Sequence, residues 1–295
     1  MLRLYRTADE DEKAARDAAV QRYAAGLQFP TPEVLASASS ENPLGLPFII
    51  MARTPGRAML ERIASNPLSA RRLLTEMARL HVALHRLPVE GCPLPAGRPF
   101  IDTQLESVAQ RIAGRQLYEL SDGLGRLDRS KAIARVEGAT LCHGDFHPLN
   151  LVVDDAGGLV VLDWSDAALA DRHHDVARTV TLFSFAYVAA RSTAERMLLR
   201  AVKGLLRSWY FGPYERAMPV ERGRLLYWEA FHAFRGLLQL YELDLDRPET
   251  LGSNPEAVLR MPRSIRDEVR RYFERKMRQV EHGAISGANE APSIG

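Results

Sequence analysis

Two acids and an amide stand close together in the stretch His143-Gly144-Asp145-Phe146-His147-Pro148-Leu149-Asn150 and the following Leu162-Asp163-Trp164. Between them lie two apolar runs, Leu151-Val152-Val153 and Leu159-Val160-Val161-Leu162, separated by Asp154-Asp155-Ala156-Gly157-Gly158. Apolar runs flanking a Gly-containing turn read as a β-hairpin. Pairing them sets Asn150, at the start of one strand, beside Asp163, at the end of the other, with Asp145 facing both across a tight loop. Mg²⁺ takes oxygen donors, usually one or two carboxylates plus phosphate oxygens, and Asn150 and Asp163 offer that set. Asp145 is then left to accept a proton from, or orient, an attacking hydroxyl. This is the chemistry of phosphoryl transfer.

The HGDFHPLN loop followed by Asp163-Trp164 resembles the aminoglycoside phosphotransferase and choline-kinase-like branch of the protein-kinase fold, and the likeness runs over about residues 1–245. The resemblance implies that Asp145 is the catalytic base, that Asn150 and Asp163 are the Mg²⁺ ligands, and that His143, with His147, supports the loop. It sets Arg3, in Leu2-Arg3-Leu4-Tyr5, where the family has the lysine that contacts the α- and β-phosphates. Asp17 stands where the family has the helix glutamate paired with that lysine. An Arg3–Asp17 pair keeps the charges but changes their reach. Phe48 to Ala52 resembles the strand that leads into the hinge, where backbone groups at Ile50 and Met51 are expected to hold adenine.

The same resemblance implies ATP or GTP as co-substrate, Mg²⁺, and a small-molecule hydroxyl as acceptor. Within the branch, aminoglycosides, macrolides, choline, amino acids and sugars all serve as acceptors, so the loop does not choose among them. The family has two strands and a phosphate-covering glycine loop ahead of its lysine strand, whereas Leu2-Arg3-Leu4-Tyr5 follows Met1 directly. A truncated small lobe is therefore expected. Either a start upstream of Met1 supplies the rest, or the lobe is incomplete and nucleotide binding weakened. The rival function is a non-catalytic scaffold that keeps the fold.

The elements that must position these residues follow from hydrophobic periodicity. Leu2 to Tyr5 alternates like a strand, a helix-forming segment runs from Asp9 to Ala25, and Pro30 and Pro32 close it. Pro47 to Ala52 is a second strand, followed by turn chemistry at Thr54-Pro55-Gly56. Leu73, Leu74, Met77, Leu80, His81 and Leu84 recur at helical spacing until Pro88. Further helices are expected at 102–120 and 126–136, a strand at 140–142, then helices at 174–190, 194–211, 220–243 and 263–281. Pro213, Pro219, Pro248 and Pro262 punctuate them. The fold expected is α+β, protein-kinase-like and two-lobed, with a partial N-terminal nucleotide-binding lobe over 1–54. A mainly helical catalytic and substrate-binding lobe follows over 55–282, and a small, polar, disordered tail over 283–295.

Composition narrows the rest. The chain has 295 residues, long enough for one large domain or two lobes. A formal charge of +2 implies no nucleic-acid partner, and Cys92 and Cys142, far apart, suggest neither a disulfide framework nor a cysteine zinc site. With no run of about 18 apolar residues, a membrane partner is not expected and a cytoplasmic location is. A hydrolytic metal centre built on His143, His147, His173, His174, Asp145 and Asp175 is the weaker alternative reading. Asp175 is read as terminating or bracing a helix near the loop. Tyr227, Phe231, Phe234 and Tyr241 read as core, and Asp166, Asp171, Glu229, Glu242 and Asp244 as acids available to a cationic acceptor. Oligomeric state is not legible.

Overall fold

The structure is a computed structural model that describes residues 1–95, 99–136, 138–186, 192–245 and 264–288. It divides into two compact units: residues 1–97, 138–175 and 206–219 form the first, and 98–137, 176–205 and 220–295 the second. Among the described residues every strand lies in the first unit.

The first unit opens with β1 (Leu2–Leu4), then α1 (Asp11–Gly26), β2 (Val34–Ala38) and β3 (Phe48–Met51). They form an antiparallel sheet in the order β1-β3-β2. Strand alternation sends Ile49 and Met51 inward, where they meet Tyr5, Val34 and the alanines Ala14 and Ala18 of α1. Small residues on that helix let it lie close to the sheet. The short, Ala- and Ser-rich β2 carries little strand signal of its own and owes its conformation to pairing with β3.

Next come β4 (Arg57–Ala58), α2 (Met59–Ser65) and α3 (Ala70–His85). The helix α3 buries Leu73, Leu74, Met77, Ala78, His81, Val82, Leu84 and His85 along one face. In the second unit, α4 (Phe100–Arg115) stops at Gln116, which takes a left-handed cap, and α5 (Ser121–Ser130) follows. The helix expected at 126–136 thus begins earlier and ends in a 3-10 turn at Lys131–Ala134. Gly123, which weakens the helical signal, is needed for packing: a Cβ there would lie 2.5 Å from the Phe234 ring.

The chain returns to the first unit with β5 (Thr140–Cys142), β6 (Leu151–Val153), β7 (Leu159–Val161) and β8 (Ala168–Ala170). β6 and β7 form the expected hairpin and β4 adds to it, while β5 pairs with β8. The remaining helices are α6 (Arg172–Ser184), α7 (Thr193–Ala217), α8 (Arg222–Leu245) and α9 (Ser264–Ala288). α9 is helical through 283–288, a span read from sequence as tail. Residues 289–295, Pro248 and Pro262 lie outside the described residues. Tyr227, Phe231 and Phe234 of α8 are fully buried as expected, and Tyr241 instead stacks under Arg266 and Arg270. No helix among the described residues is long and apolar enough to cross a membrane.

Pro213 does not end its helix, contrary to expectation. α7 runs through it. A proline there has no N–H for the carbonyl four residues earlier, that of Trp209. The Thr75 hydroxyl reaches that carbonyl at 3.5 Å and stands in for the missing donor. Thr75→Val is expected to lower stability by about 1 kcal/mol, and by clearly less in a Pro213→Ala background, where the restored N–H serves the same oxygen. Equal losses in both backgrounds, measured by urea unfolding, would exclude a shared acceptor.

Candidate active site

The hairpin sets the two ends of the chemistry side by side. Its ladder extends one step past β6 and β7, with the Leu162 N–H donating to the Asn150 carbonyl at 2.8 Å. Asn150 and Asp163 therefore leave the same end of the sheet. Asn150 Nδ2 donates to the Asp145 carbonyl at 3.0 Å and to Asp145 Oδ2 at 3.3 Å, which commits the nitrogen and leaves the amide oxygen to face a ligand. His147 Nε2 donates to Asp145 Oδ2 at 3.0 Å while its Nδ1 accepts from the Leu149 N–H. Asp145 is thus held by an amide and an imidazole from its own loop.

Around this carboxylate the loop is locked by buried contacts. His143 is fully buried, donates from Nε2 to the Leu162 carbonyl at 2.9 Å and accepts the Asp145 N–H at Nδ1. One imidazole thereby ties the loop to the residue preceding Asp163. Gly144 adopts φ +81°, and a Cβ there would lie 2.2 Å from the Asp166 carbonyl oxygen, so no other residue fits. Trp164 anchors the far side, donating from Nε1 to Thr31 Oγ1 at 2.8 Å with its ring buried.

Asp163 sits in the left-handed region at φ +61°, a conformation aspartate tolerates better than most residues. Its Oδ1 accepts from Ser165 at 2.8 Å and from Arg3 Nη1 at 2.7 Å, and among the described residues its Oδ2 takes no hydrogen bond. Burial pushes this carboxyl up, but Arg3 and Ser165 outweigh it and hold the group below the usual range. The expected Arg3–Asp17 pair is not formed. Tyr5, two residues on and so on the same strand face as Arg3, puts its hydroxyl 2.7 Å from Asp17 Oδ2, and Arg16 takes the other oxygen. Asp17 is buried at 1% exposure, and burial pushes its carboxyl up.

Ile50 and Met51 also differ from expectation. β3 is the central strand of its sheet, so its backbone is used within the ladder: the Met51 N–H donates to the Met1 carbonyl at 2.9 Å, and Ile50 pairs with Leu2 and Ala36. These groups are not open to a base. Asp175, by contrast, lies under the loop, with Oδ2 accepting the His143 N–H at 2.6 Å and Oδ1 the Gly144 N–H at 2.9 Å. It is the loop's brace, while Asp171 caps α6 by accepting the His173 N–H. His81 and His85 of α3 close on Asp175 Oδ2 at 3.0 and 3.3 Å. Burial pushes the Asp175 carboxyl up, and the two imidazoles pull it down by more, so it stays well below the usual carboxylate range.

The family model described as "Phosphotransferase enzyme family" matches residues 1–218. The chain belongs to the phosphotransferase enzyme family. It is 29% identical over 166 residues to an aminoglycoside 3'-phosphotransferase of Streptomyces fradiae, a match spanning 50% of this chain and 57% of that relative's length. The chain thus covers little more than half of the curated relative it matches. Its structure resembles one from Ralstonia eutropha JMP134 assigned to the aminoglycoside phosphotransferases, with TM-score 0.64 and 18% identity over 94% of this chain and 85% of that one. It also resembles aminoglycoside phosphotransferase APH(3'')-Id of Streptomyces rimosus in complex with ADP and streptomycin, with TM-score 0.54 and 18% identity over 77% and 84% of the two chains. At such identity the likeness is one of fold, the α+β kinase-like fold of this phosphotransferase family.

Several partners of the site lie outside the residues expected from the sequence. Arg16 donates to the Ser165 carbonyl at 2.8 Å, beside Asp163, and His81 and His85 support Asp175. A signal existed for the histidines: they stand four apart in a helical stripe, but His81 reads there as one more core position. The acids considered for a cationic acceptor are mostly engaged, Asp171 with His173, Glu229 with Lys276 and Tyr272, Glu242 with Arg111, and Asp244 with Arg266. Gly144→Ala is expected to destabilise the fold by about 2 kcal/mol or more, from left-handed strain and the Asp166 clash. A variant with an unchanged unfolding midpoint would show that the loop adapts without that glycine.

Proposed function

We propose that this chain transfers the γ-phosphoryl group of ATP, or of GTP, to a hydroxyl of a small molecule. The observation that carries the reading is the convergence of Asp145, Asn150 and Asp163 at one end of the β6–β7 hairpin, with the loop held by buried donors. The nucleotide in the Streptomyces rimosus complex supports it. Asp145 takes or orients the acceptor's proton, held in place by His147 and Asn150. The oxygens left by Asn150 and Asp163 are hard donors, fit for Mg²⁺, which when bound supplies charge neutralisation at phosphate oxygens.

Arg3 brings a cation to this end of the hairpin through its contact with Asp163. Its pair with Asp163 has side chains 30% and 45% exposed, and an ion pair that open is worth only about 0–1 kcal/mol. Either partner can therefore turn to a ligand at little cost, Arg3 to a phosphate and Asp163 to a cation. His143 and Asp175 act through the loop and touch no substrate. The reading extends to a hydroxyl acceptor and stops there: of the acids that would draw an aminoglycoside, four already carry a partner, so charge gives no reason to transfer that acceptor class from the relatives.

The second reading, a non-catalytic scaffold of the same fold, is separated by calorimetry. Mg²⁺-dependent ATP or GTP binding is expected in the wild type and is expected to weaken by at least about tenfold in Asp163→Ala. No heat with either nucleotide would favour the scaffold. Asp145→Asn is expected to lower turnover by about 10²–10⁴-fold while leaving nucleotide affinity within about threefold. Full activity in that variant would remove Asp145 from the reaction.

A further inference from the structure

The cluster beneath the loop is one that hydrogen bonding leaves incomplete. His81 and His85 are one helical turn apart on α3, so both imidazoles leave the same face. Nδ1 of His81 lies 2.6 Å from the Tyr210 hydroxyl and Nδ1 of His85 lies 2.7 Å from the Tyr214 hydroxyl. That leaves both Nε2 atoms directed at Asp175. His81 Nε2 is fully buried and comes within 3.0 Å of Oδ2 without forming a well-aligned hydrogen bond among the described residues. Oδ2 is already taken by the His143 N–H at 2.6 Å.

We propose that His81 Nε2, His85 Nε2 and Asp175 Oδ2 bind one Zn²⁺ ion. Two imidazoles and a carboxylate are zinc chemistry, softer than the all-oxygen pair Asn150 and Asp163, so the two sites select different cations. Donors at about 2.0–2.1 Å from one tetrahedral ion stand about 3.3 Å apart. The nitrogen-to-oxygen separations here, 3.0 and 3.3 Å, are already close to that, and the three ligand atoms lie within 4.8 Å of one another. Histidines four apart on a helix are a known zinc-binding spacing.

The surroundings suit the ion. With Nε2 committed to metal, each ring carries its proton on Nδ1 and donates it to a tyrosine oxygen, the outer-shell bond that fixes the tautomer. Tyr214 can then direct its own proton to Met218 Sδ at 3.4 Å. The described residues supply three ligands. Because Asp175 also holds the His143 and Gly144 amides, the ion would fasten the loop to α3. This proposal is independent of the phosphoryl-transfer reading.

The test uses the full chain, stripped with dipicolinate, reloaded with Zn²⁺ and desalted, with metal measured by plasma emission. One equivalent is expected in the wild type and in Asp163→Ala, which leaves the cluster intact, and Co²⁺ in place of Zn²⁺ should give the visible bands of a tetrahedral site. A rise in melting temperature of about 5 °C or more at a hundredfold excess over Kd should accompany loading. His81→Gln should lose the equivalent. Should that variant fail to fold, Tyr210→Phe, which only removes an outer-shell partner, is expected to bind zinc about 10–100-fold more weakly. A wild type that retains no zinc, or a folded His81→Gln that retains it all, or a Tyr210→Phe of unchanged affinity, would overturn the proposal.

Discussion

An ionised carboxylate taken out of water must be met by donors, since left alone it costs several kcal/mol. Asp175 is fully buried, and two of its donors are the backbone N–H groups of His143 and Gly144. The loop that carries Asp145 is therefore not free to choose its path. Gly144 must accept a left-handed turn against Asp166, His143 must turn inward to Leu162, and Asp145 must emerge where Asn150 and His147 can hold it. The buried charge fixes the backbone, and the backbone fixes the exposed charge.

Charges at the other end of the site are treated differently. Arg3 and Asp163 meet in the open, where solvent weakens the pair and a ligand can replace either partner. Asp17, the acid expected beside Arg3, is sealed under Tyr5 and acts as part of the α1 packing. A rigid, buried brace beneath the loop and a loose, exposed pair above it would suit the proposed phosphoryl transfer, in which Asp145 is held still while ligands exchange around Arg3 and Asp163.

The hairpin, the Asp145 loop and the Asp163-Trp164 pair are legible in the sequence because their determinants are local. Alternating apolar runs, a Gly-containing turn and polar residues at strand ends need no distant partner to be recognised. α3 and α8 are legible from apolar residues recurring at helical spacing, and α1 from its helix-forming composition. β2, β4 and β8 are not, because they are short and take their conformation from the strands they pair with rather than from an apolar pattern of their own. Pro213 misleads because its missing N–H is compensated by Thr75, a residue more than a hundred positions earlier.

The sequence by itself thus determined which residues could do chemistry and that Asn150 and Asp163 would leave one sheet edge together. Only the tertiary structure decided their partners. Arg3 went to Asp163 because Tyr5 had already claimed Asp17, and the backbone of Ile50 and Met51 went into the ladder because β3 is flanked on both sides. His81 joined His85 on Asp175 because α3 passes directly beneath the loop. Spacing along a chain names donors and acceptors, but competition for a buried lone pair is settled only by what else the fold brings within about 3 Å.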